Sequence, residues 1–401
     1  MKSLILIFVI AAVSLFADED PRIALDEAFP NRDAATYFAG EITLVEHVNR
    51  IGMLRLDRDG TINKYFWDLP HEFRMLPYGS IFLHGAPAEL KDLPIGTHLH
   101  GLFYLGPEGA FEVKPPVSGY AAGLQVRPDM RSVETQFSRV LQLQDDFSFY
   151  QRQGLGWKIE SISEEPSQVA VQRVKLADGN PDGDIKLTLR IDEGTRVWKN
   201  AGFGSTDDLA EGQIVQINTG WMTVLGSDHQ DGLCREIWID EASREAATKQ
   251  QRGVHIAHQK RRGIPAKVIK TESMPGEGAR GHMTVQLHAG MDAELYDAIR
   301  NANSLLIQAV EPTLRAYDND GKPASQLEVT ELENPPAGSS GIEIRMHLYE
   351  MLEGFRAGRT VRISLSEWNK PERPREERLW QKDIRIFSVG PKPVAERDGP
   401  P

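Results

Sequence analysis

A landmark that occurs three times constrains this chain more than any other feature of it. An apolar residue, two variable residues and a glycine lead into a strand that alternates apolar and polar side chains. It reads "LPIGTHLHGLF" at Leu93 and Gly96, "LAEGQIVQINT" at Leu209 and Gly212, and "FRAGRTVRISL" at Phe355 and Gly358. In the first two, Asp92 or Asp208 precedes the apolar residue. A glycine at such a point marks a tight turn, because positive φ costs it little. The strand behind it is placed to close a barrel, so the chain reads as a series of small units.

A second landmark lies between the units. "FSFYQRQGLGWKIESI" (147–162) aligns with "VHIAHQKRRGIPAKVIKT" (254–271), Tyr150-Gln151-Arg152 falling on His258-Gln259-Lys260. Each is a polar, basic run that ends at a glycine and enters a new strand. The run up to Gly263 carries acidic residues early and basic ones late, with Pro265 beyond. That is a helix aligned with its own dipole and stopped by a glycine. Its counterpart, "RSVETQFSRVLQLQDDFSFYQRQG", is read as helical by analogy. Elsewhere short alternating runs ending at Gly, Pro, Asn or Asp predict strands.

The organisation expected is therefore a β-module over 39–130, a helix over 131–155, a second module over 156–240, a helix over 241–263 and a third module over 264–389. The modules recur at a period of about 110 residues. "GMDAELYDAIRNAN" predicts a short helix inserted in the third, and "LENPPAGSSG" a loop. The tail 390–401 is Pro-rich and charged, a composition that favours disorder. Residues 1–17 read as a signal peptide, with Lys2, an apolar run from Leu4 to Phe16 and a small-residue cleavage site. The run is shorter than the ~20 apolar residues of a membrane span, and 18–38 follow as an N-terminal segment. The expected location is periplasmic or extracellular.

A strand opening with G-E-I or K-V/I, a meander, and then D-L-x-x-G-x-x-V-x-I resembles small OB-fold-like β-barrel domains of exported bacterial proteins of unknown function. Gly40 to Val45, Asp92 to Leu99, Asp208 to Ile217 and Phe355 to Leu365 carry the resemblance. The third module departs from it, with Gly354-Phe355 in place of Asp-Leu. The resemblance implies a mainly β fold of three tandem OB-like barrels linked by two α-helices. It implies no catalytic residues.

The chemistry on offer is sparse. Formal charge is −12, which opposes binding to a phosphate backbone, so no nucleic-acid partner is expected. Cys234, the one cysteine, has no partner for a disulfide and sits in a strand-like run as a buried thiol. "DRDGTIN" and "DNDGKPAS" lack the distal glutamate of a calcium loop. His98 and His100 form a His-x-His pair that aims both rings one way, as metal ligation needs, with His84 available as a third ligand. Alignment on the three glycines puts Leu99, Val215 and Val361 on an inner face. The histidines then share the opposite face with Ile214, Gln216, Thr360 and Arg362, on the outer surface or against a neighbouring module. His255 and His258 lie one turn apart on the second helix, and their alignment with Phe147 and Tyr150 favours packing.

The function expected is that of an exported, non-enzymatic binding or scaffold protein with an envelope protein or polysaccharide as partner. Trp67, Tyr78, Tyr104 and Trp221 are candidates for a ligand face, as are Phe82 and Trp238, although core packing is the commoner fate of each such aromatic. No cofactor is expected. The alternative is a divalent-metal protein or enzyme using His84, His98 and His100.

Overall fold

A computed structural model describes residues 29, 31–57, 70–104, 113–114, 132–133, 139–164, 167–220, 232–274, 280–311, 314 and 321–368. The expected signal peptide, Trp67, Trp221 and the tail lie outside these residues.

The fold is mainly β, with three closed barrels in tandem. The first is built from β1 (Thr36–Glu46), β2 (Ile51–Leu56), β3 (Pro70–Leu83), β4 (Ala86–Ala88) and β5 (His98–Tyr104). It is completed, after a two-stranded pair of β6 (Val113–Lys114) and β7 (Ser132–Val133), by β8 (Arg139–Asp145). Helix α1 (Asp146–Arg152) leads into the second barrel, which comprises β9 (Leu155–Glu164), β10 (Ser167–Lys175), β11 (Pro181–Arg190), β12 (Arg196–Lys199), β13 (Gly202–Phe203), β14 (Ile214–Gly220) and β15 (Gly232–Trp238). Helix α2 (Glu241–Arg262) leads to the third: β16 (Ile264–Ser273), β17 (Gly281–His288), α3 (Ala293–Arg300), β18 (Ser304–Ala309), β19 (Lys322–Glu331), β20 (Ser339–Leu348) and β21 (Thr360–Ser364).

The first two barrels share one topology. Around the first, the order is β2-β1-β5-β8-β3, closed by β2–β3, with β3 and β8 parallel. Around the second it is β11-β10-β9-β14-β15, closed by the parallel pair β11–β15. Both orders are compatible with OB-like modules. The third is β16-β17-β20-β19-β18-β21, and its strand pairings among the described residues are all antiparallel. Beside its glycine strand β21 stands β18, from earlier in the chain. In the other barrels that place is taken by a strand from later in the chain, β8 or β15.

The landmark itself is the same in all three. Gly96, Gly212 and Gly358 have φ of 91°, 83° and 88°, a region open to glycine at little cost. Each donates its N–H to a first-strand carbonyl, of Ile42, Ile159 or Val268, at 2.8 Å. Two residues later, His98 pairs with Glu41, Ile214 with Lys158 and Thr360 with Lys267. The turn therefore sets the register of the strand, and through it which face is inward. Leu99, Val215 and Val361 are each fully buried in their own core.

The opposite face is not open surface. His98, His100 and Gln216 are buried as well, because helices and neighbouring barrels cover it. The sequence-based helix over 131–155 also needs correction, as it is mostly β8 followed by seven helical residues. All of Arg139–Asp145 except Gln144 is buried, so the run lacks the polar alternation of a half-exposed strand. A short run of that kind cannot be told from a buried helix by periodicity. The first barrel thus extends to Asp145 rather than 130.

Helix α2 clamps the molecule. Asp240 caps its first turn through Ser243, and the Gly263 N–H closes its last turn on Gln259 O at 2.7 Å. Along its length, Thr248 Oγ1 donates to His84 O at 2.7 Å in the first barrel, and Arg252 forms a two-pronged pair with Asp292 in the third at 2.6 and 2.9 Å. The first and third barrels also touch directly. A Cβ at Gly290 would lie 2.3 Å from Ser80, and one at Gly338 2.2 Å from Tyr78. Only glycine permits that approach.

Candidate functional site

The helix between the first two barrels begins with adjacent aspartates, and each holds one half of a buried polar junction. Asp145 is the N-cap of α1: its Oδ1 accepts from Ser148 N–H at 2.9 Å. Its Oδ2 accepts from the His84 N–H at 3.0 Å and from Asn218 Nδ2 of the second barrel at 2.9 Å. A carboxylate suits this position, where unsatisfied N–H groups and the helix dipole meet.

Asp146 faces the His-x-His strand. Its Oδ1 accepts from His98 Nδ1 at 2.6 Å and from His100 Nε2 at 2.8 Å. Its Oδ2 accepts from both the N–H and the Oγ1 of Thr219, each at 2.7 Å. The far nitrogen of His98 meets Asp57 Oδ2 at 2.9 Å, and the far nitrogen of His100 meets the Tyr37 hydroxyl at 2.6 Å. The result is a chain of contacts, Asp57–His98–Asp146–His100–Tyr37, running from a half-exposed carboxylate through a buried centre to a half-exposed phenol. His100 is further fixed by stacking on Phe149, ring centroids 3.7 Å apart and nearly coplanar at 7°.

The pairing assigns the protons. Burial alone would lower His98, but Asp146 and then Asp57 override it and hold the imidazole well above its ordinary range. Both its nitrogens donate, so it is an imidazolium. His100 is pushed down, by burial first and by the His98 charge, against the pull of Asp146. It is therefore neutral, with Nε2–H donating to Asp146 and Nδ1 accepting from Tyr37. Burial works against the Asp146 carboxylate too, yet the His98 charge and the two imidazole hydrogen bonds keep it far below the usual carboxylate range. Burial, with Asp57 and Asp146, pushes the Tyr37 hydroxyl up to about 12, so it remains a donor.

Among the described residues, His98, His100 and Asp146 also form a set able to hold a metal ion, with one donor atom from each within 4.8 Å of the others. Two imidazoles and a carboxylate are a reasonable set for zinc or another borderline ion. The fit is incomplete as the groups stand. The His–Asp contacts of 2.6 and 2.8 Å are hydrogen bonds, shorter than the roughly 3.3 Å that donors keep around a tetrahedral ion. A metal would have to displace the proton between His98 and Asp146, and the donors would have to spread.

His84 is not the third ligand. It sits at φ 50° in the β3–β4 turn, against Trp238 with ring centroids 5.0 Å apart, its Nε2 3.4 Å from Glu236. The turn directs its ring toward β15, and Asp146 takes the place expected for it. Tyr104 is not on an open ligand face either, while Tyr78 borders the cleft between the first and third barrels. Both are buried with Leu76 and Leu141, and the Tyr104 hydroxyl donates to Asn31 O at 3.1 Å. Phe82 lies under the Arg152 guanidinium, and Trp238 is buried in the second barrel's wall. His255 is wholly buried in the α2 interface. Asp57, Asp146, Tyr37 and Thr219 escape a reading of the sequence, although the pair "DD" ahead of a short polar-aromatic run is the one available signal for Asp146.

A second feature lies between the first and third barrels, a cleft of about 740 Å³. Arg50, Arg74, Tyr78, His288, Arg356 and Arg359 are among its lining residues.

No family model matches the chain, and no curated protein matches it. Among solved structures, a Cu(II)-bound tryptophan-to-alanine variant of CusF from Escherichia coli is similar at 12% identity, over 22% of this chain and 90% of that one, with a TM-score of 0.15. A likeness at that score carries no argument.

Proposed function

We propose that this chain is an exported, non-enzymatic binding protein whose partner, an envelope protein or polysaccharide, enters the cleft between the first and third barrels. The observation that carries the reading is the cleft itself. Its volume, about 740 Å³, is in the range of ligand sites, which favour the seams between domains. Its walls are held in place by α2 and by the glycine contacts of Ser80 and Tyr78, so a ligand would meet a preformed site and little ordering would oppose binding. Export rests on the apolar N-terminal run, and the buried His–Asp chain acts in this reading as the lock between the first two barrels.

The test is a glycan array and an envelope-extract co-purification with the mature chain. Any partner found must be lost in Ala357→Trp, which fills the cleft from an exposed lining position. Empty results in both assays refute the reading, as does a partner that Ala357→Trp leaves bound.

Divalent-metal binding is the second reading, supported by the convergence of His98, His100 and Asp146. It predicts roughly one equivalent of metal per chain in protein purified without chelators, lost in a His98→Ala/His100→Ala variant. A metal-free folded protein that takes up no zinc on dialysis removes it.

A further inference from the structure

The cleft between the first and third barrels is cationic in a chain whose net charge is −12. Arg50, Arg74, Arg356, Arg359 and Arg362 line it, against two glutamates, Glu89 and Glu311. Some of that charge is answered internally: Arg359 Nη1 donates to Glu311 at 2.8 Å and Arg356 Nε to Glu353 at 2.6 Å. Arg74 is exposed, and its side chain has no hydrogen bond or ion pair among the described residues.

Two buried groups in the same cleft are incompletely satisfied. Arg50, at φ 57°, donates Nη1 to the carbonyls of Leu76 and Pro77 at 3.0 and 2.9 Å, and Nη2 to that of Gly79 at 2.7 Å. Its Nε is buried without a partner. His288 is 1% exposed, and neither of its ring nitrogens makes a hydrogen bond. The Pro77 carbonyl is close enough to be felt by the ring without accepting a hydrogen bond from it. Edge-on contacts with Phe29 and Tyr78, at centroid distances of 6.1 and 6.0 Å, fix the ring but satisfy neither nitrogen.

We propose that this cleft binds an anionic group of the partner, a carboxylate or a phosphate, with Arg74, Arg50 and His288 as its recognition residues. The inference rests on the reading of the cleft as the binding site. A buried polar group without a partner is destabilising and calls for an explanation. Here the unpaired donors lie where five arginines outnumber two glutamates among the lining residues, and an anion answers both. The surroundings of His288 agree. Burial, then Arg50, Arg362 and Lys267, push its imidazole down to about 3, so the ring stays neutral within a positive field that an anion would relieve. Arginine suits either oxyanion, because its planar fork matches both.

The experiment is calorimetric titration of the full mature chain with inorganic pyrophosphate, with citrate and with neutral maltotriose. The expected result is binding of at least one anion and none of maltotriose. Pyrophosphate alone identifies phosphate as the group, and citrate alone a carboxylate. Arg74→Ala, at an exposed position, is expected to weaken binding about tenfold or more, while Lys158→Ala, an exposed cation on β9, leaves it unchanged. His288→Phe keeps the aromatic contacts and removes the unpaired nitrogens. It is expected to lose anion affinity while melting no lower than the parent. Two silent anions, equal losses in Arg74→Ala and Lys158→Ala, or full affinity in His288→Phe each overturn the inference. Maltotriose binding that Ala357→Trp abolishes, with both anions silent, overturns it too but keeps the cleft as the binding site.

Discussion

Replacing Asp146 with asparagine removes one charge from the buried junction and almost no volume. The carboxylate is 2% exposed and accepts four hydrogen bonds, two from imidazoles and two from Thr219. Asparagine offers an NH₂ where one oxygen stood, so at least one donor would face another donor. His98 would keep only Asp57, whose side chain is 45% exposed and more solvated. Breaking a buried pair by removing one partner is destabilising by about 3–5 kcal/mol. The surviving Asp57 contact places this case at the lower end, about 3 kcal/mol, or more than a hundredfold in the opening equilibrium. Barrels in tandem need not unfold together, so the assay is native-state hydrogen exchange read at the amides of β5 and α1. In a double-mutant cycle, Asp146→Asn and His98→Gln should couple by about 1 kcal/mol or more. A single-mutant effect below about 1 kcal/mol, or strict additivity, would refute the ion-pair reasoning.

The junction also predicts a pH dependence of definite sign. His98 is raised in the folded chain, so its contribution is complete below the ordinary imidazole value and is lost as pH rises through the raised one. Asp146 is lowered, so its contribution is present above the ordinary carboxylate value and is lost only in strong acid. His100 is lowered, and below the ordinary imidazole value it favours the unfolded chain. The stability gap between the parent and Asp146→Asn should therefore narrow as the solution is made alkaline, and a gap that widens would contradict the assignment. Gly212→Ala and Gly358→Ala would meet no atom within 4 Å, so each should destabilise by the left-handed backbone term alone, about 1–2 kcal/mol; denaturant midpoints showing no loss would contradict it. Leu99→Ala, at a fully buried core position, should destabilise the first barrel by about 2–5 kcal/mol in the same assay, and an effect under about 1 kcal/mol would mean the core collapses around the gap. Cys234 is fully buried, and burial followed by Glu236 pushes its thiol up. It should resist aromatic disulfide reagents until the chain unfolds, and prompt reaction in native buffer would place it elsewhere.

The repeated glycine turn is legible in the order of residues alone. A glycine forced to positive φ, with its N–H held by the first strand, sets register within a few residues. The inward place of Leu99, Val215 and Val361 is therefore readable from spacing alone. Spacing was uninformative where burial is two-sided: the run Arg139–Asp145 carries no alternation, and only closure of the first barrel makes it a strand. The candidate site divides in the same way. That His98 and His100 point together follows from the two-residue period of a strand. What they point at does not, since Asp57 is 41 positions from His98 and Asp146 is 48, and only packing of α1 across the junction brings the carboxylates to the rings. His84 was excluded by one left-handed turn that aims it at Trp238. The cleft is wholly a product of tertiary structure, because Arg50 and Arg74 come from separate parts of the first barrel and His288 from the third, and they share no local pattern. Local periodicity encodes direction along one element, whereas a site between elements depends on how three cores dock.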